Sequence, residues 1–244
     1  MSRSNNTEII NPAIRFFEWS GDKGVFKYYD KETKENVDVA LPFNFLVLDQ
    51  LSTISGWDDA AGSGFWSNEV RDLNTQVLRV RNKNGLVEEN LYKKLNCIKD
   101  GAEYAKSIYI AFFVDKKTLA IGNLKLRGSG LSWIDFANKN RADILKKAIT
   151  VATTEDGQKG KTKFKIPVFT LKDVSPETDA KATELDKVLQ EYLTAYFAKS
   201  GAETATPHNR SEEPAPVSAS VENPVAASAG EVADNEDDND SLPF

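Results

Sequence analysis

Cysteine is almost absent from this sequence: Cys97 stands alone among 244 residues, which excludes a disulfide framework and any CxxC metal site. Histidine is as scarce. His208 is the single example and falls in a stretch rich in Pro, Ser and Ala, so a Ser–His–Asp triad or a His-ligated zinc has next to no support. No run approaches the roughly 18 apolar residues of a membrane span. The first residues, Met-Ser-Arg-Ser-Asn-Asn-Thr, lack the apolar stretch of a secretory signal, and a cytoplasmic protein is expected. Phosphate loops are missing as well: Gly122, Gly128 and Gly130 are followed by no Gly-Lys-Ser/Thr and read as turn glycines. Asp and Glu are plentiful, so a carboxylate-only Mg²⁺ site stays open, but no cofactor, metal or catalytic constellation is expected.

Apolar residues make up 40% of the chain and aromatics 10%, enough to build a core, and the length suits one large domain or a domain with a tail. The net charge of −6 conceals an uneven distribution. Residues 200–244 hold one Arg and ten acidic side chains, a net of −9. The remainder holds 30 basic and 27 acidic side chains, a net of +3. A mildly basic body carrying a strongly acidic tail points to nucleic acid or to an interaction tail.

Residues 14–20 are strand formers, the cluster Gly21-Asp22-Lys23-Gly24 is a turn, and residues 25–30 answer as the second arm of a hairpin. A third short strand is expected over 37–41, ended by Pro42. Residues 43–54 are apolar and fit helix or strand, whereas 55–66 mix glycines with large aromatics and read as a loop. A nearly continuous apolar run over 105–114 suggests a central buried strand.

Three further strand candidates share a pattern. Over 77–83, Leu78 and Val80 alternate with Arg79, Arg81 and Lys83; over 122–128, Leu124 and Leu126 alternate with Lys125 and Arg127. Over 159–166, Lys159, Lys161, Lys163 and Lys165 alternate with Thr162, Phe164 and Ile166. A side-chain period of two places each basic set on a single face.

Helices are fewer. Residues 131–147 carry a loose helical stripe of Leu131, Ile134, Ala137, Ile144 and Leu145. Residues 175–199 form the strongest helix: Ser175 caps it, Pro176 suits its first turn, Gly201 lies just past its end. Its apolar face is Leu185, Val188, Leu189, Tyr192, Leu193, Tyr196 and Phe197. Beyond it the composition turns to Ala, Pro, Ser, Glu and Asn, too polar to offset ordering entropy, so a disordered acidic tail is expected over 200–244 behind a domain of residues 1–199.

The tail ends in an acidic run followed by Leu242-Pro243-Phe244. This ending resembles the C-terminal tip of bacterial and phage single-stranded DNA-binding proteins. The resemblance covers about the last ten residues. It implies that Phe244 and Pro243, with Leu242, anchor in an apolar pocket on replication, recombination or repair partners, while Asp237, Asp238 and Asp240 steer the encounter. Length and a β-rich body look more like phage-encoded members with one enlarged OB-type barrel, working in the host cytoplasm. Zinc-containing phage relatives are no template, since the Cys/His set is missing.

The body supplies the other two requirements of single-strand binding. The three basic ladders can track phosphates, although charged strand faces are common on ordinary sheets. Exposed rings can stack on bases at roughly 1–3 kcal/mol per base. Trp57, Phe65 and Trp66 are candidates for stacking, with a plug at one end of the barrel as the alternative for the two tryptophans. Tyr28 and Tyr29 point to opposite faces of one strand, so at most one is core. Trp19 and Trp133 lie among apolar neighbours and are expected in the core. The expectation is a mainly β protein: a single elaborated OB-type barrel with a C-terminal helix, coating single-stranded DNA without catalysis. A structural protein with an acidic tail and no DNA affinity, or a carboxylate-metal DNA-processing enzyme, are the other classes open to it.

Overall fold

Alternation of apolar and polar side chains carries most of the chain into strands. The computed structural model describes residues 10–201. Its strands are β1 (Arg15–Ser20), β2 (Val25–Asp30), β3 (Glu35–Val39), β4 (Phe43–Asp58), β5 (Ser63–Ser67), β6 (Leu78–Asn82), β7 (Gly85–Asn90), β8 (Ala102–Phe113), β9 (Leu119–Leu126), β10 (Ala148–Lys159) and β11 (Thr162–Lys172). The helices are α1 (Ser132–Lys139) and α2 (Pro176–Gly201).

The strands run in the order β3-β2-β1-β9-β8-β4-β5-β6-β7, and the β10–β11 hairpin joins β4 beside them. One pair, β1–β9, is parallel; the rest are antiparallel. β4 branches. Its first residues pair with β10, its last with β5, and β8 lies along it from Phe45 to Gly56. The ladder does not close, since β3, β7 and β11 each have a neighbour on one side only. β11 instead touches the β1–β2 turn, where Lys165 N–H donates to the Gly21 carbonyl (2.6 Å) and the Trp19 indole donates to the Lys165 carbonyl (3.1 Å).

Two cores share the inward face of β4 and β8. The first is aromatic, with Phe17, Phe26, Phe43, Phe45, Phe112 and Phe169 packed around Trp133 of α1. The second gathers Ile54, Phe65, Val70, Leu78, Val80, Leu95, Cys97 and Ala102 under the 3-10 turns Tyr92–Lys94 and Cys97–Asp100. On the outward face α2 lays Leu189, Tyr192 and Leu193 over Leu51, Tyr109 and Ile121. Its end is pinned twice. The Glu69 carboxylate accepts from Ser107 Oγ (2.5 Å) and Tyr109 OH (2.8 Å), while Glu69 N–H donates to Tyr196 Oη (2.8 Å). Arg71 holds Asp49 bidentately (3.1 and 2.9 Å) with its guanidinium 5.2 Å from the centre of the Phe197 ring.

Several expectations meet their elements. The 14–30 hairpin, the central strand over 105–114, the core positions of Trp19 and Trp133, and the α2 helix are all present. Ser175 Oγ accepts from Thr178 N–H at 3.2 Å as the cap requires, although Val188 is exposed rather than part of the packed face. Residues 43–54 are strand. Residues 55–66 are not a loop: they are the end of β4, a turn and all but the last residue of β5. Gly56 is there for close approach, since a Cβ would lie 2.1 Å from the Gly101 carbonyl oxygen. The helix expected over 131–147 stops at Lys139, where Asn140 leaves helical geometry and turns its side chain back to the Phe136 carbonyl (2.8 Å). An OB-type closure of the strands is not formed by this open ladder. The expected disordered tail lies outside the described residues.

Candidate nucleic-acid interface

In an antiparallel ladder, residues directly opposite one another share a face. Trp66 of β5 lies opposite Ser55 of β4 on one side and Arg81 of β6 on the other. Trp57 lies two residues beyond Ser55, opposite Gly64. Arg79 is two residues before Arg81, and Leu86 of β7 faces Arg81. Trp57, Trp66, Arg79, Arg81 and Leu86 therefore occupy one outward face of the β4–β7 wing. Phe65, Leu78 and Val80 fill the core behind it.

The two indoles on this face differ from the other two in the chain. Trp19 and Trp133 are buried, pack on other rings and donate their Nε1–H groups, to the Lys165 carbonyl and to Gln50 Oε1 (2.9 Å). Trp57 and Trp66 are half-buried, and their indoles have neither ring partner nor hydrogen bond among the described residues. Each thus stands on a sheet and is partly exposed to solvent. Arg81 has no ion-pair partner among the described residues, whereas Arg79 Nε binds Glu89 Oε1 at 3.1 Å. Glu103, opposite Ser55, adds a carboxylate to the same face.

Lys83 sits in the β6–β7 turn and leans over the β4–β5 turn, its Nζ close to Gly62. That turn is shaped by Asp58, which accepts from Ala61 N–H (3.0 Å) and Asn82 Nδ2 (2.8 Å). These bonds, helped by Lys83, hold the Asp58 carboxyl below its usual pKa.

The remaining expected residues do not converge here. Phe65 is 3% exposed, a core residue that alternation with Trp66 turns inward, so it cannot stack on a base. Tyr28 packs edge-on against Phe17, with the Arg15 guanidinium 4.5 Å from the centre of its ring. Tyr29 lies on the opposite face of β2, across from Asn36. Lys125 shares the outward face but sits across β8 and β4 from the wing, between Ser107 and Glu18; Arg127 follows the end of β9. The four-lysine ladder is broken by a hairpin turn at Gly160-Lys161. Lys163 and Lys165 share a face, Lys159 points to the other with Thr162, and Lys165 is neutralised by Asp156 at 2.6 Å. Asp237, Asp238, Asp240, Leu242, Pro243 and Phe244 lie outside the described residues.

Two functional candidates escaped the sequence pattern. Leu86 adds an exposed apolar side chain beside Arg81. Lys106 lies within the apolar run of β8, in phase with the inward positions Ile108, Ile110 and Phe112. A lysine at a core phase was the signal for it. Among the described residues no group of three or more His, Cys, Asp or Glu could hold a metal ion, and no helix is long and apolar enough to cross a membrane. The chain matches no protein-family profile, no curated protein and no solved structure.

Proposed function

We propose that the protein binds single-stranded DNA with little sequence preference, through the outward face of the β4–β7 wing, and recruits replication, recombination or repair proteins through its C-terminal tip. The observation that carries this reading is the pairing of two unstacked indoles, Trp57 and Trp66, with Arg79 and Arg81 on one strand face. Every base has a ring face to stack, so indoles bind without reading sequence, and the arginines meet the phosphates between them. On this reading the curled region around the aromatic core is an OB-type barrel in which β11 leans on the β1–β2 turn instead of completing the ladder. The acidic run ahead of Leu242-Pro243-Phe244 supplies the steering charge for a basic partner. No catalytic step is part of this proposal.

Titration of labelled single strands, duplex and RNA at several salt concentrations tests it. The expected result is binding of single strands of unrelated sequence with similar affinity, and a slope of log K against log salt of about −0.7 per phosphate neutralised. A preference for duplex, or an affinity indifferent to salt, would sink the reading.

A further inference from the structure

The inward face of β8 runs Phe112, Ile110, Ile108, Lys106, Tyr104, Ala102, crossing from the aromatic core to the second one. Where the two cores part, the side chains turn polar. Gln50 and Ser52 of β4 and Tyr104 and Lys106 of β8 form a strip, with Ser52 Oγ 3.4 Å from Tyr104 OH. Lys106 stands directly between Ser52 on β4 and Leu126 on β9. It is half-buried and makes no hydrogen bond or ion pair among the described residues. The carboxylate whose charge reaches it, Asp49, belongs to the outward face and is already held by Arg71 and Gln190. Burial accordingly holds the Lys106 ammonium below its usual pKa. A leucine here would continue both cores without the cost of partly burying a cation that has no partner among the described residues.

We propose that Lys106 is a second anion-binding site, which takes a phosphodiester of the bound strand on the face of the sheet opposite Trp57 and Trp66. The inference rests on the reading that the protein binds single strands. Phosphodiester is favoured over a protein carboxylate because rings and further cations flank the lysine. The Tyr104 ring lies two residues along the same face, with the Tyr92 ring 5.9 Å from it. Exposed Lys93 and Lys94 follow Tyr92. From β9 to β4 the strip spans about 10 Å at ordinary strand spacing. Because the two sites lie on opposite faces, a short oligonucleotide reaches one of them, and only a longer strand passes around the wing to both.

Binding of a short strand (about 6 nucleotides) and a long one (about 30) is compared for the wild type, Lys106→Gln, Lys106→Arg and Trp66→Ala, in the full chain, with thermal melts alongside. Expected for Lys106→Gln is a loss of about tenfold on the long strand, a salt slope shallower by about 0.7, and no change on the short strand. Lys106→Arg keeps the slope. Equal long-strand affinity and slope in Lys106→Gln, with Trp66→Ala still weakened, overturns the second site and leaves the DNA-binding reading intact. Equal loss on both strands with a lowered melt makes Lys106 structural and also overturns the proposal. Absence of binding by the wild type to either strand removes the reading itself.

Discussion

The two cores on the inward face are built from different materials. In the first, Phe17 meets Tyr28, Phe43 and Phe112 with ring centroids 5.0 to 5.6 Å apart, and Trp133 meets Phe169 edge-on at 5.0 Å. In the second, Phe65 is the one buried aromatic ring among aliphatic neighbours, and separate segments are tied by carboxylates. Asp58 joins β4 to β6 through Asn82, and Glu88 joins β7 to the turn at Asn96 and Cys97, accepting from Cys97 N–H at 3.0 Å and Asn96 N–H at 2.8 Å. The aromatic core is thus expected to be the more stable region, while Trp57 and Trp66 sit on the wing with the lighter support. Regions that bind are commonly drawn from the less stable parts of a fold.

The sharpest way to break this contrast is to hollow the first core. Trp133→Ala removes a fully buried ring and its bond to Gln50, and is expected to cost about 3–5 kcal/mol in urea denaturation. Below the melt it should leave affinity for DNA close to wild type, because the wing face is untouched. Equal losses in stability and affinity would show that the two regions are not separable.

Trp57→Ala and Trp66→Ala test the other side of the contrast. Each is expected to cost about 1–3 kcal/mol of single-strand affinity, read by titration, with the thermal melt nearly unchanged since neither ring is fully buried. A melt lowered by many degrees would instead make these rings part of the core packing.

Acid should separate the regions without mutation. Hydrogen bonds from Ala61 N–H and Asn82 lower the Asp58 pKa. Burial pushes Glu88 upwards, but bonds from Cys97 and Asn96 outweigh it and leave that pKa lowered too. A pKa lowered by folding gives stabilisation that is complete above the ordinary carboxylate range and is lost as pH falls through the folded value, here below about pH 4. Asp22 and Asp115 are also lowered, by Ser20 and by Lys117 N–H, but they brace only their own turns. Hydrogen exchange followed down in pH should therefore show Leu78 and Val80 losing protection before Ile110 and Phe112. Simultaneous loss would mean a single cooperative unit.

The smallest effect is expected on the hairpin. Lys165→Gln breaks an ion pair whose acidic partner, Asp156, is largely exposed, so the change in stability should stay within about 1 kcal/mol in the same denaturation assay.

Alternation alone exposed much of this architecture. Leu78 and Val80 against Arg79 and Arg81 marked β6 and its faces, and the Ser175–Pro176 start with Gly201 beyond marked α2. What escaped depended on partners distant in the chain. Gly56 looks like a loop residue until Gly101 comes against it. Phe65 and Trp66 look equivalent until the register sends one inward. The lysines of 159–165 look like one ladder until Gly160-Lys161 folds them into two strands. Trp57, Trp66 and the wing arginines were each visible in the sequence, but their meeting on one face was not, because β5 and β6 are joined by a segment whose path no local pattern specifies.

The parallel pairing of β1 with β9 has a consequence for how the chain is made. Arg15 finds Gly122 only after about a hundred further residues have been translated, which at roughly 5–20 residues per second is of the order of ten seconds. The β4–β8 region is contiguous in sequence and can assemble as soon as residue 113 leaves the ribosome. The wing thus has its partners before the N-terminal hairpin has its own; the aromatic core, which needs β1, β9, α1 and β11 together, is sealed after it, and α2, the last of these elements to be made, then closes over the outward face.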